Sequence, residues 1–371
     1  MKLSFFIFMF SLFLGLFALV FFKSLHLLPE KNLVRWLFGS SYILLFIALF
    51  AGLYFEHKLG IGFAKILTFT TYSFLMVVIY LSFSYLLTDI VLLANKLFHF
   101  AEPGMLVFRQ RFTLVSLVVI AVAMVWGNIR FNHPNLVQLD LTVEQPFQGK
   151  TLKIVAASDI HLGTSIDKKY LHRYVQLINA RKPDIILLAG DITDRSFGPV
   201  LEQRMEEELG QLQAPLGVYA ITGNHEYYSG VQDQIADYLR TAGITVLHDS
   251  TALVDNRFYL IGRDDRTNPK RKPLAELVQG LRPELPRILL DHQPYDLQQA
   301  VDNDIDLQIS GHTHEGQFFP GNLIVRRIFE VAHGYKKKGK THIYVSSGLG
   351  IWGPLYRIGT QSELVEIRLK Y

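Results

Sequence analysis

Four apolar runs open the chain, at about residues 3–22, 36–55, 66–87 and 112–127. Each approaches the ~20 residues that carry a helix across ~30 Å of hydrocarbon, the fourth being the shortest. The polar segments between them, such as 23–35 with Pro29 and 56–65 with Gly60 and Gly62, read as loops. Residues 94–110, aromatic and weakly basic around Pro103 and Gly104, fit either a broken amphipathic segment in the interface or an ordered loop. The first run is longer than a signal-peptide core and no small-residue cleavage site follows it, so it reads as an uncleaved span.

From residue 152 the pattern changes. Apolar runs of a few residues end in polar clusters: 152–157 before Ser158 and Asp159, 185–189 before Gly190 and Asp191, 218–221 before Gly223 and Asn224. The runs 288–290 before Asp291 and His292, and 307–309 before Ser310, Gly311 and His312, follow the same plan. Amphipathic helical patterns near 168–181, 200–212 and 231–241 separate several of them. Buried strands alternating with helices predict an α/β domain with polar residues collected at strand ends. Later strand-like runs at 257–261, 342–345 and 364–369 predict a second sheet and the end of the domain. The expected organisation is a transmembrane domain over 1–130, a linker and first strand over 131–150, and a catalytic domain over 151–371.

Composition sharpens this division. Of 371 residues, 50% are hydrophobic and 19% charged, against roughly 25% charged in a soluble domain. Residues 1–130 hold ten Lys/Arg and four Asp/Glu, leaving 27 and 29 for the remainder, so the pI of about 9.0 belongs to the first third. The water-facing part has no basic excess with which to neutralise phosphates, which argues against a nucleic-acid partner. The absence of cysteine excludes a disulfide framework and thiolate metal sites, and leaves the redox compartment open. Loops one and three carry Lys23, Lys31, Arg35, Lys96, Arg109 and Arg111, against Lys2, Lys58, Lys65 and Arg130 on the other side. That bias places loops one and three in the cytoplasm, and the catalytic domain outside it.

The predicted strand ends hold Asp159-Ile160-His161, Gly190-Asp191-Ile192-Thr193-Asp194, Gly223-Asn224-His225-Glu226, His292, and Gly311-His312-Thr313-His314. Alone, each block has an ordinary reading: a helix cap, a solvated turn, or a hydrogen-bonded core histidine. Together they gather carboxylates, an amide and imidazoles of the kind that hold metal ions. Two divalent cations ~3.5–4 Å apart activate a shared water and offset negative charge on a phosphate. Mixed imidazole and carboxylate donors suit Mn, Fe or Zn rather than Mg or Ca.

In this order the blocks resemble the signature of the calcineurin-like metallophosphoesterases, over about residues 150–371. The stretch from Ser310 to Gln317, and the tail 345–350 with Arg357, resemble that family's membrane-associated bacterial branch, with Glu315 standing where the branch more usually has Gly. The resemblance implies a four-layer α/β/β/α sandwich with two metal ions at the strand ends. By the same resemblance Asp159, His161, Asp191 and His314 bind one ion, and Asp191, Asn224, His292 and His312 the other. It leaves His225 to protonate the leaving oxygen or to hold the phosphate. Asp194 and Glu226 are expected to orient a ligand imidazole, or else to be ordinary carboxylates near a helix start. Arg357 is a candidate phosphate contact, or a salt-bridged arginine. His57, His99, His133, His172, His248, His333 and His342 have no spacing that recruits them.

The reading that follows is a multi-pass membrane phosphoesterase that hydrolyses a phosphodiester or pyrophosphate bond, expected to be that of a lipid-linked substrate, by attack of a hydroxide shared between two metals. The alternatives are a phosphomonoesterase, a catalytically silent scaffold, and a transporter; the last is disfavoured because Lys65 and Asp89 lie at span edges.

Overall fold

The computed structural model describes residues 3–55, 58–100, 105–143 and 149–371. Two compact units emerge, Met1–Trp126 and Gly127–Tyr371.

The first unit contains α1 (Leu3–Leu27), α2 (Asn32–Phe55), α3 (Ile61–Phe98) and most of α4 (Met105–Asn132). All four helices are long and apolar enough to cross a membrane. They outrun the apolar stretches because polar residues continue the helix: α3, at 38 residues, is ~57 Å long at 1.5 Å per residue. Residues 94–98 finish α3 and 105–110 begin α4, so these ends continue the two long helices instead of forming a separate in-plane segment. Pro103 and Gly104 lie outside the described residues. Aromatic rings cement the helices edge to face, with Phe17 and Phe46 at 5.0 Å and Tyr42 and Phe74 at 4.9 Å. Lys23 and Asp89 form an ion pair, so neither charge stands alone among apolar side chains.

The strands of the second unit are β1 (Asn135–Thr142), β2 (Thr151–Ala157), β3 (Ile185–Ala189), β4 (Val218–Ile221), β5 (Thr245–Val246), β6 (Ser250–Val254), β7 (Phe258–Gly262), β8 (Arg287–Leu290), β9 (Leu307–Ser310), β10 (Gly334–Lys338), β11 (Thr341–Val345) and β12 (Glu363–Lys370). They form two six-stranded mixed sheets, ordered β1-β12-β2-β3-β4-β5 and β10-β11-β9-β8-β7-β6. Ile154, Leu187 and Ile221 of the first sheet pack on Leu260, Ile288 and Leu307 of the second. Helices α5 (Lys168–Asn179) and α9 (Gln232–Thr241) cover the outer face of the first sheet through Leu171, Ile178, Ile235 and Leu239. Short helices α10 (Leu274–Leu277) and α11 (Gln298–Asp302) cover the second. The result is the expected α/β/β/α layering. Strands such as β3 are buried along their whole length, which is why they read as unbroken apolar runs.

Two local expectations change. The 200–212 pattern is not one helix but α6 (Gly198–Glu202) and α7 (Glu206–Leu209), interrupted where Arg204 takes a left-handed backbone, φ 49°. The last strand joins the first sheet, wedged parallel to β1 and antiparallel to β2.

Candidate metal centre

The polar blocks follow the C-terminal ends of the parallel strands β2, β3 and β4 in one sheet and β8 and β9 in the other. Because the sheets face each other, these ends converge. Asp159, His161 and His314 form one group able to hold an ion, and Asp191, His292 and His312 another, with ligand atoms within 4.8 Å of one another in each. In the first, His161 Nε2 lies 3.1 Å from His314 Nε2, and His314 Nε2 is 3.3 Å from Asp159 Oδ1. In the second, His292 Nε2 lies 3.1 Å from Asp191 Oδ2, which is also 3.8 Å from His161 Nε2. Asn224 joins through Oδ1, 2.7 Å from His312 Nδ1. The structure thus brings all seven expected ligands together, with Asp191 between the two groups.

Convergence strains the chain. Asp159, His161, Asp191, His312 and His314 all have positive φ, between 49° and 72°. Left-handed backbone costs a side-chain-bearing residue roughly 1–2 kcal/mol, and such strain gathers where function requires it. Neighbouring glycines make room: a Cβ on Gly223 would meet Asp191 Oδ1 at 2.2 Å, and one on Gly311 would meet Asp159 Oδ2 at 2.2 Å.

The electrostatics suit cation binding. Burial lowers His161 to about 3 and His312 to about 4, and carries His314 well below its ordinary value, each helped by a neighbouring imidazole, so their lone pairs are free at neutral pH. Burial would raise Asp191, but His292, His161 and His225 hold it well below the usual carboxylate range. Asp159 is raised to about 6 by burial, with His292 opposing and Asp191 adding to the shift. His292 is the exception: against burial, Asp191 lifts it well above its ordinary value. Its Nδ1–H donates to Ala189 O at 2.8 Å, which leaves Nε2 facing Asp191. His161 Nδ1, His292 Nε2 and His314 Nδ1 are buried without a hydrogen-bond partner. The two Nδ1 atoms are the far nitrogens of rings whose Nε2 atoms meet Asp159 and Asp191, so the orphan that points at the centre is His292 Nε2; the donor set fits divalent metal.

The surrounding residues divide differently from expectation. Asp194 Oδ1 accepts from His225 Nδ1 at 2.8 Å, and is 3.9 Å from His161 Nδ1. Burial would lower His225, but that hydrogen bond and the Asp191 charge raise it. His225 also falls within a possible ligand group with His161 and Asp191. Glu226 holds backbone: among the described residues no hydrogen bond or ion pair to an imidazole is seen. Its carboxylate accepts from the backbone N–H groups of Asp191 (3.2 Å), Thr193 (2.8 Å) and Gly223 (2.7 Å), tying the loops after β3 and β4 together.

Arg357, a candidate either for phosphate contact or for a salt-bridged surface arginine, is instead fully buried. Its Nη1 donates to His314 O at 2.9 Å and its Nη2 to Ser347 O and Gly350 O at 2.7 Å each. The guanidinium clamps the His314 loop to the 347–350 loop and is buried away from any substrate. Glu315, beside His314, accepts from Arg326 at 3.1 Å.

A cavity of about 340 Å³ opens on the centre, lined by Asp191, Asn224, His225, His312 and His314 together with Arg195, Tyr228 and Trp352. Arg195 and Tyr228 were not singled out by motif. The available signal for Arg195 was a cation directly after Gly-Asp-x-x-Asp, and for Tyr228 an aromatic one helical turn after His225.

Comparison with known proteins agrees with this geometry. The calcineurin-like phosphoesterase family profile matches residues 152–316. A transmembrane protein with a metallophosphoesterase domain from Danio rerio is 35% identical over 280 residues, covering 71% of this chain and 63% of that protein. An uncharacterized metallophosphoesterase of Campylobacter jejuni is 34% identical over 285 residues, 71% of each chain. One from Aquifex aeolicus is 34% identical over 232 residues, 60% of this chain and 87% of the relative. The chain therefore spans less than two thirds of the fish protein's length. Taken with the strand-end ligands and the four apolar helices, the matches make this chain a member of the calcineurin-like metallophosphoesterases, a family of divalent-metal phosphoester hydrolases, and one of its membrane-associated members.

Proposed function

We propose that the protein hydrolyses a phosphodiester or pyrophosphate bond with two divalent ions, Mn, Fe or Zn, held by Asp159, His161, Asp191 and His314 on one side and by Asp191, Asn224, His292 and His312 on the other. The observation that carries this reading is the position of Asp191 Oδ2 between His161 and His292: a carboxylate oxygen facing both groups could be shared by two cations and would offset their repulsion. When bound, the ions supply an activated water and neutralise charge on the phosphate. The chain's own residues do the rest. His225, held at Nδ1 by Asp194, gives a proton from Nε2 to the leaving oxygen. Arg195 on the cavity wall takes the phosphate contact that the buried Arg357 does not make. Tyr228 and Trp352 form an aromatic wall suited to a substrate with an apolar part.

The substrate class that fits four spans and an aromatic-walled cavity is a lipid-linked phosphoester in the cell membrane, drawn from the extracytoplasmic leaflet. A lipid anchor or one span already suffices to tether an enzyme. The test is metal-dependent turnover of lipid phosphoesters against their soluble headgroup analogues, with bis- and mono-p-nitrophenyl phosphate separating diesterase from monoesterase. Preference for soluble nucleotides would overturn the lipid reading, and monoester-only turnover would favour the phosphomonoesterase. A reporter fused after Tyr371 that works only in the cytoplasm would overturn the sidedness.

A further inference from the structure

Helix α12 (Gly321–Ile328) follows the metal-binding loop and buries none of its residues. Leu323, Ile324 and Ile328 are 52%, 58% and 58% exposed. At 100° per residue these three share one face, and Arg327 falls among them, while Val325 and Arg326 turn the other way. Including half-exposed Phe319, four of the domain's exposed large hydrophobics fall within residues 319–328. Isolated exposed apolar residues need no explanation, but a contiguous set with a cation in its midst does.

The helix is fastened to the metal centre on both sides. Arg326 pairs with Glu315, the neighbour of ligand His314. A Cβ on Gly316 would lie 2.2 Å from the Gly321 carbonyl carbon, so loop and helix start are in direct backbone contact. At the other end Phe329 packs 4.7 Å from the Tyr295 ring and 6.0 Å from that of ligand His312.

We propose that α12 is an interfacial docking helix: its Leu323, Ile324 and Ile328 face enters the headgroup layer of an anionic bilayer, Arg327 reaches lipid phosphate, and the mouth of the metal centre is thereby held at the lipid surface. This rests on the lipid-substrate reading and gives it an entry point. A helix of eight residues, ~12 Å long, presents far less than the ~800 Å² per partner of a stable protein interface. A bilayer needs no such area, because the chain's own spanning helices keep it at high effective concentration. An apolar face bearing a long cationic side chain is what an interfacial helix presents, the stem lying in the apolar layer and the charge reaching outward.

The chain has no cysteine, so single labels are unambiguous. Full-length Ile324→Cys and Ile328→Cys, each carrying an environment-sensitive fluorophore, are reconstituted into phosphatidylcholine–phosphatidylglycerol vesicles containing acyl-chain spin-labelled lipid. Asp237→Cys in α9, with its side chain 75% exposed, is the control. Insertion about 5–10 Å into the headgroup and acyl boundary predicts strong quenching at 324 and 328 and little at 237. Replacing Arg327 with Gln should weaken quenching at 324 several-fold. Equal quenching at all three positions, or none at 324 and 328, overturns the proposal, and the latter includes the case in which a protein partner covers the helix. Quenching without turnover of any lipid phosphoester leaves the docking helix standing and removes the lipid-substrate reading; lipid turnover without quenching does the reverse.

Discussion

Asp194 holds the His225 imidazole by its Nδ1 at 2.8 Å, which fixes the ring and leaves Nε2 as its only free nitrogen. If that nitrogen delivers the proton to the leaving group, His225→Ala keeps its metal and loses about 10²–10⁴-fold in kcat. Asp194→Asn should lose less and shift the pH profile. Both losses shrink with p-nitrophenol leaving groups, which need no proton. Metal analysis of the purified variant decides the matter, since depleted metal would make His225 a ligand with His161 and Asp191.

Removing Asp191 removes a donor from both groups. Asp191→Asn and His312→Ala are expected to abolish metal-dependent hydrolysis with the fold intact by circular dichroism. Chelator should inhibit wild-type protein, with activity returning on addition of Mn. Undiminished activity in Asp191→Asn protein would refute the shared carboxylate.

Arg357 predicts a stability effect and no substrate effect. Arg357→Met strands the carbonyls of Ser347 and Gly350 in a buried setting, at about 1–3 kcal/mol for each group left unsatisfied, while His314 O keeps the Gln317 N–H. The expected outcome is a much lower melting temperature, with KM unchanged for whatever protein remains folded. A raised KM at unchanged stability would return Arg357 to the substrate.

The pair His248 and Asp264, 2.8 Å apart, predicts a pH window. The hydrogen bond to Asp264 raises His248 against the effect of burial, with Asp249 and Asp233 adding to it. Asp264, which burial would raise, is held at about 2 by His248, Tyr227 and Asn268. A raised histidine stabilises fully below its unfolded value of about 6.5 and stops doing so as pH climbs through its folded value; a depressed aspartate contributes above about 3.9 and is lost as pH falls toward its folded value. The melting temperature of wild type should therefore exceed that of His248→Gln most near pH ~5, and the gap should close in alkali. A gap that widens with rising pH would contradict the assignment.

Much of this molecule was legible because its strands are buried on both faces. Burial on both faces writes β3 and β7 as unbroken apolar runs, and the turn after each strand must be polar. The candidate ligands were legible as a set because few residue types bind metal. Edge strands were not: β10 reads Gly-Tyr-Lys-Lys-Lys, with its three central residues exposed and no face buried. The insertion of β12 beside β2 joins segments more than two hundred residues apart, which no local pattern encodes. The burial of Arg357 is not written in the sequence because its partners are backbone carbonyls, invisible in a string of side chains. Arg195 and Tyr228 are ordinary residues whose place on the cavity wall comes from position alone.

Glu226 has a consequence for how this scaffold changes over time. By pinning three backbone N–H groups on the loops after β3 and β4, it couples the segments that carry Asp191 and Asn224, so that a substitution in one disturbs the other. Arg195, Tyr228 and Trp352 on the wall are under no such constraint, so variation in what the enzyme accepts should accumulate there while the chemistry beneath stays the same. Swapping those three side chains between relatives would then transfer substrate preference without rebuilding the centre.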